Sequence, residues 1–385
     1  MTDRAEGGAR SLDGREVAFL SWRDTHNPEG GGAERALEEV AEGLVERGAR
    51  VTVFSAAHAG APPEDEIRGV RYVRRGSKLS VYARGMQALR RGDLGNPDLV
   101  VDVQNGLPFF TRLVTRRPVV VLVHHVHREQ WPVVYPGTMG KVGWWIESRF
   151  APRLYRRCQY VTGSNATRDE LGHLGVDPDR IAVVHYGTDR HRPAQVGKTA
   201  HPSICVVGRL VPHKQVEHAL DAVAELRDEL PGLTVTVVGS GWWEHILHAY
   251  AEKHELGDSV RFLGQVDEAT KERVYAESWV LALPSLKEGW GLVVGEAALA
   301  GTPTVAYASA GGTRESVQDG RSGLLVDDRA GFVDALRRLL VDAELRTRLA
   351  EGARTHGGQF TWEQTRSGFA DVVEQALAGR RVSTD

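Results

Sequence analysis

A chain of 385 residues is long enough for two or three domains and a substantial buried core. Lys and Arg total 48 against 51 Asp and Glu, and this formal charge of −3 excludes the strongly basic surface of a dedicated nucleic-acid binder. With 41% hydrophobic and 26% charged residues the composition is that of a folded globular protein, neither disordered nor a membrane bundle. In chain order, 17–22 reads as a strand that enters a glycine-rich loop, followed by a helix over 33–47. Leu37, Val40, Ala41, Leu44 and Val45 form one apolar stripe on that helix, and Gly48 ends it. Apolar runs at 51–54, 99–103, 119–123, 160–162 and 181–184 read as further strands, with helices filling the gaps. The stretch 188–202, with Pro193, Gly197 and Pro202 and few apolar residues, reads as an interdomain linker.

The pattern then restarts. Strands are expected at 204–207, 235–238, 260–263, 279–283, 304–307 and 324–326, with a helix over 215–230 and a last helix over 362–377. Alternating strands and helices predict an α/β fold of two doubly wound domains, each a parallel sheet covered on both faces. In that architecture the ligand site lies at the carboxyl ends of the strands, in the cleft between the domains. Cys158 and Cys205 are too few for a disulfide scaffold and are not spaced as a zinc site, so both read as buried thiols in a reducing cytoplasm. The N-terminus lacks an apolar signal core, and runs such as 119–123 fall far short of the ~20 residues of a spanning helix.

Four loops carry candidate chemistry. The first, Pro28-Glu-Gly-Gly31-Gly32-Ala-Glu34, lies between a strand and a helix, where free N–H groups and the helix dipole favour a phosphate. An ordinary strand-to-helix turn is the competing reading. A dinucleotide site is excluded, because the next strand ends in Phe54 and Ser55 where a ribose-binding carboxylate is needed. The second loop, His124-His125-Val-His127, follows the strand 119–123 and places an imidazole at the carboxyl edge of the sheet. No acidic or cysteine partner sits at ligand spacing, so these histidines are not expected to hold a metal.

Third, Gly208-Arg209-Leu-Val-Pro-His-Lys214 sets a planar guanidinium fork and a mobile ammonium in one loop, a pair suited to a diphosphate. Fourth, Glu288-Gly-Trp290-Gly291-Leu292 leads into a helix that carries Glu296. Glu296 stands among Val293, Val294, Ala297 and Ala298, and a carboxylate buried there needs a partner, which a hydroxyl-rich ligand would supply. A charge facing water at a helix N-terminus is the alternative.

The spacing of Glu288 and Glu296 in E-G-W-G-L-x-x-x-E-A, G-R-L-x-x-x-K at 208–214, Gly30 to Glu34 and the His124 region, in this order, resemble the family-4 glycosyltransferases. Ser164-Asn-Ala-Thr167, Tyr186-Gly-Thr-Asp189 and Gly311-Gly-Thr-Arg-Glu315 add to the resemblance, which covers nearly the whole chain. It implies a retaining, nucleotide-sugar-dependent hexosyltransferase of the GT-B fold. Residues 1–190 would form an acceptor-binding domain and 200–360 a nucleotide-sugar domain, with 361–385 a helix crossing back to the first.

On the same resemblance, Glu296 would bind the donor ribose, and Glu288 would lie against the donor sugar. Arg209 and Lys214 would neutralise the diphosphate, with N–H groups from Gly31, Gly32 and the Trp290, Gly291 and Leu292 turn. The base would sit between Gly239 to Gly241 and the segment ending at Val266. His124 would face the sugar, with His125 as the alternative. Trp290 stands where the family more often has Phe. No metal or resident cofactor is implied, since the co-substrate is a nucleoside-diphosphate sugar.

A nucleotide-sugar 2-epimerase of the same fold and a non-catalytic nucleotide-sugar sensor are the competing functions. The acceptor is an unidentified hydroxyl on a glycan, a lipid-linked molecule or a small molecule. In the segment 131–157, Trp144, Trp145, Ile146 and Phe150 accompany Lys141, Arg149 and Arg153. This combination suits an amphipathic helix packed on its own sheet, and it also leaves peripheral membrane contact open. Trp131 and Tyr135 are candidates for stacking on an acceptor.

Overall fold

The structure, a computed structural model, describes residues 11–189 and 196–383. The chain divides into two units, one of 1–186 with 362–385 and one of 187–361. Within the expected linker, 190–195 lie outside the described residues.

Unit 1 is built on an eight-stranded sheet. Its strands are β1 (Glu16–Leu20), β2 (Arg50–Ser55), β3 (Glu64–Ile67), β4 (Val70–Arg74), β5 (Leu99–Gln104), β6 (Val119–Val123), β7 (Gln159–Thr162) and β8 (Ile181–Val183). They lie in the order β3-β4-β2-β1-β5-β6-β7-β8. The central strands β5 and β6 are buried along their whole length because both faces of the sheet are covered, which is the burial a parallel sheet demands, and β5 carries Asp102 and Gln104 among its apolar residues. The expectation of a wholly parallel sheet fails at one edge, where β3 pairs antiparallel with β4. Arg68 and Gly69, both at positive φ (49° and 77°), make the hairpin turn there.

The helix Trp362–Leu377 belongs to unit 1. Phe369, Ala370, Val372 and Val373 join Val17, Phe19, Leu37 and Val40 in one buried core. It crosses the helix Gly32–Glu46 closely: a Cβ added at Gly43 would lie 2.6 Å from the Arg366 Cβ. The Arg366 guanidinium ties the pair polar-side, with Nη2 2.7 Å from Glu39 and 3.4 Å from Glu42.

Unit 2 carries six parallel strands, β9 (Ser203–Val207), β10 (Thr234–Val238), β11 (Val260–Gly264), β12 (Val280–Leu283), β13 (Thr304–Tyr307) and β14 (Gly323–Val326). Their order is β11-β10-β9-β12-β13-β14, so the chain reverses direction across the sheet between β9 and β12. The carboxyl ends of the strands at such a reversal are where an open α/β sheet binds ligands. The helix expected at 215–230 starts later. Pro212–Lys214 forms a single 3₁₀ turn, Gln215 sits at φ 48°, and the α-helix is Glu217–Leu226.

Cys158 and Cys205 are both buried and unpaired, as the cysteine count predicts. Burial pushes their thiols up to about 11 and about 12 respectively. No helix among the described residues is long and apolar enough to cross a membrane.

Candidate active site

The loops after β9, β10 and β11 are joined backbone to backbone. Gly208 N–H donates to Val238 C=O (3.0 Å), Leu210 N–H to Ser240 C=O (2.9 Å) and Gly239 N–H to Gly264 C=O (2.8 Å). Side chains are excluded at the contact: a Cβ at Gly239 would stand 2.0 Å from the Gly208 carbonyl oxygen, and one at Gly241 2.2 Å from that of Leu210. The two glycines are therefore required by the close packing of these loops, whatever they touch in a ligand. Val266 lies half-buried beside the cluster of Val207, Val238 and Ala297.

Arg209 and Lys214, brought together on the loop after β9, differ in their partners. The Arg209 side chain is half-buried and makes no hydrogen bond or ion pair among the described residues. Lys214 Nζ lies 2.5 Å from Glu288 Oε1, which joins the loop after β9 to that after β12 across the strand reversal. Glu288 is fixed by its backbone as well, with its N–H on Ala310 C=O (2.7 Å) and its C=O receiving Gly312 N–H (3.0 Å). Leu286 N–H donates to His213 C=O (2.8 Å), closing the cluster.

Trp290 turns inward, 3% exposed, with its ring edge-on to Phe360 at 4.8 Å. Its ring is buried, so Trp in place of Phe is a packing change. Gly291 adopts φ 84°, a left-handed conformation that lets the chain turn from the loop into the helix Leu292–Leu299. That helix has no acid in its first turn and no side-chain cap. The N–H groups of Gly291 and Leu292 have no acceptor among the described residues, so the positive end of the helix is open.

The partner that Glu296 needs is found inside the protein, in addition to any that a hydroxyl-rich ligand would supply. Its Oε1 receives Lys271 Nζ (3.1 Å) and its Oε2 receives the Tyr275 hydroxyl (2.7 Å). Burial lowers the Lys271 ammonium, but Glu296 and Glu268 outweigh it and the group ends above its ordinary value. Burial first, then Glu296, holds the Tyr275 phenol well above the usual range. Glu296 is therefore a fixed acceptor, with lone pairs left for further hydroxyl donors. Lys271 and Tyr275 sit at i, i+4 on the helix Glu268–Glu277, and nothing in their local sequence marks them.

In unit 1 the glycine-rich loop serves itself. Glu34, third residue of the helix Gly32–Glu46, accepts the Gly31 N–H through Oε2 (2.8 Å) and the Arg23 Nε–H through Oε1 (3.2 Å). The expected phosphate donor at Gly31 is thus already engaged, while Gly32 is exposed. The G-x-x-E spacing is that of a capping box and carries this signal in the sequence.

Among the histidines, His124 is 4% exposed and its Nδ1 pairs with the Tyr186 hydroxyl at 2.7 Å. Burial pushes its imidazole down to about 4, so it is neutral near pH 7. His125 is half-buried on Gln130 Oε1 (3.1 Å). His127 is anchored by Glu147, a buried carboxylate that also takes the Trp131 indole N–H (2.6 Å). Trp131 is packed on Gly143 and is 9% exposed, which removes it as an acceptor-stacking ring. Among the described residues no three His, Cys, Asp or Glu are grouped as metal ligands.

Comparison with known proteins gives the family of the chain. Residues 188–356 match the family model described as Glycosyl transferases group 1, and 30–192 match Glycosyltransferase Family 4. D-inositol 3-phosphate glycosyltransferase of Streptomyces scabiei is 30% identical over 95% of this chain and 92% of its own. The enzyme of the same name from Streptomyces bingchenggensis is 34% identical over 57% of this chain, spanning 53% of that relative's length. Among solved structures, sucrose-phosphate synthase from Thermosynechococcus elongatus has a TM-score of 0.80 at 19% identity, covering 95% of this chain and 100% of that one. Anabaena HepE in complex with UDP-glucose has a TM-score of 0.73 at 21% identity, covering 94% and 99%. With full-length relatives of this kind and two α/β units of the GT-B type, the chain belongs to the family-4 glycosyltransferases.

Proposed function

We propose that the protein transfers a hexose from a nucleoside-diphosphate sugar to an acceptor hydroxyl, retaining the anomeric configuration and requiring no metal. The observation that carries the donor half is the loop cluster of unit 2. Arg209 there has no carboxylate partner among the described residues, Lys214 stands in the same loop, and the helix Leu292–Leu299 opens without an acid. A diphosphate satisfies all three.

In the reaction the bond from the anomeric carbon to the diphosphate oxygen breaks and its electron pair stays on that oxygen. The acceptor oxygen forms the new bond on the same face, and its proton passes to the departing phosphate. Negative charge grows on the leaving group, so Arg209, Lys214 and the N–H groups of Gly291 and Leu292 act most strongly at the transition state. Glu288 positions Lys214 and lies where the sugar would rest. Glu296, held by Lys271 and Tyr275, accepts from the ribose hydroxyls, and the Gly239 to Gly241 and Val266 edge borders the base. His124, uncharged near neutral pH, offers a hydrogen bond to a sugar hydroxyl rather than a second cation. Unit 1 is read as the acceptor side.

The UDP-glucose complex of HepE makes UDP-sugars the first donors to try. A thermal-shift series with UDP-, GDP-, ADP- and dTDP-sugars identifies the base by ligand stabilisation. Nucleoside-diphosphate release is then followed with and without hydroxyl acceptors. Release that depends on an acceptor supports transfer, and equal release without one overturns it.

A further inference from the structure

The segments after β5 and β6 present a surface that the donor chemistry does not use. Between residues 103 and 158 the sequence has nine Arg and Lys against two acids, Glu129 and Glu147, in a chain whose net charge is −3. Glu147 is 1% exposed and engaged by His127 and Trp131, so it does not offset the cations at the surface.

The apolar residues of this segment are oriented outward. In the helix Thr138–Trp145, Gly140 and Gly143 face inward, and a Cβ at Gly143 would lie 2.3 Å from the Trp131 ring. Met139, Val142 and Trp145, at i, i+3 and i+6, lie on the other side, exposed by 66%, 51% and 57%. Trp145 stacks on Phe150 at 6.0 to 6.1 Å separations that continue to Phe110, next to the exposed Leu113. A helix packed for water alone shows the reverse arrangement, and a contiguous apolar patch of this kind marks a binding surface. Lys141, Arg149 and Arg153 flank it, each exposed and without a carboxylate partner among the described residues.

We propose that this face of unit 1 docks on the surface of an anionic phospholipid bilayer. Trp145, Phe150, Met139 and Val142 would sit at the boundary between headgroups and acyl chains, with Lys141, Arg149 and Arg153 over lipid phosphates. Charge selects lipid over a second copy of the chain: a two-fold contact would bring the same cations together, whereas an anionic bilayer opposes each with a negative charge. The inference is independent of the donor assignment.

Co-sedimentation of the full chain with vesicles of phosphatidylcholine, alone or mixed with phosphatidylglycerol, tests it. Binding is expected to the mixed vesicles only, weakening as salt is raised. Joint Trp145→Ser and Phe150→Ser substitution should lower partitioning about tenfold or more, from the lost apolar insertion. Lys141→Glu or Arg149→Glu should each lower it at least about fivefold. Val341→Ser, at an exposed apolar residue of unit 2, should leave it unchanged. Circular dichroism and ligand-free melting of each variant establish that it is folded. Absence of binding, equal binding to phosphatidylcholine alone, or a dimer in solution that Trp145→Ser dissociates would each overturn the proposal.

Discussion

Two helix N-termini preceded by glycines, one in each unit, have been put to opposite uses. At Gly31 and Gly32 the first turn contains its own anion, and Glu34 binds both the backbone N–H and Arg23. At Gly291 and Leu292 the first turn contains no acid, and the nearby cation Arg209 has no partner among the described residues. The same local geometry is a structural cap in one place and an anion receptor in the other. Whether a carboxylate stands at the third helical position separates the two.

Substitutions should therefore affect ligand handling in unit 2 and stability in unit 1. The largest effect is expected for Lys214→Ala and Arg209→Ala. Each should lower turnover about 10² to 10³-fold, by loss of one charge-stabilising donor, with ligand-free melting little changed in Arg209→Ala and lowered in Lys214→Ala, which leaves Glu288 without its cation. Steady-state rates with the donor that the thermal-shift series identifies will check this, and wild-type rates in both variants would remove the unit 2 assignment.

The next largest effect concerns His124. Its folded-state imidazole is depressed to about 4 against an ordinary 6.5. The unfolded chain therefore takes up the proton first as pH falls, and stability present above about pH 6.5 is lost progressively toward pH 4. The difference corresponds to about 3 kcal/mol. His124→Gln should show a correspondingly shallower loss of unfolding free energy over that window in urea titrations, and an identical slope would contradict the buried neutral ring.

Glu34→Gln should cost about 2 kcal/mol of stability by weakening two charge-assisted hydrogen bonds, while leaving the nucleotide-induced thermal shift intact. A vanished shift would mean that the first loop also holds the donor. Smallest is Gly43→Ala. Helix propensity favours alanine by about 1 kcal/mol, but the contact with Arg366 opposes it, so a net destabilisation of about 1 kcal/mol is expected in thermal melts.

Much of this was legible in the residues. The strand 119–123 is an unbroken β-branched and leucine run and was readable to the residue. Lys214 and Glu288 were both readable as loop residues at carboxyl ends of strands, but the ion pair between them was not. What escaped the sequence reading depends on contacts distant along the chain or on a changed period. In the β3 and β4 hairpin, Glu64, Asp65 and Glu66 fill most of the first strand and Arg71 and Arg74 interrupt the second, so neither carries an apolar run to find. Lys271 and Tyr275 meet Glu296 only because their helices pack together. Beyond the short helix Gln130–Val134, Gly137 at φ 82° restarts the chain, and a π-helical stretch, Ile146–Phe150, interrupts the 3.6-residue repeat. A single amphipathic helix over 131–157 therefore does not form.

The last helix gives the first unit an unusual dependence. Phe369 and its neighbours fill the same interior as β1, although some 350 residues of polypeptide separate them. During synthesis the amino-terminal half must then wait, incompletely closed, until the final segment has left the ribosome. A stop codon just ahead of Trp362 would thus harm the part of the protein made first.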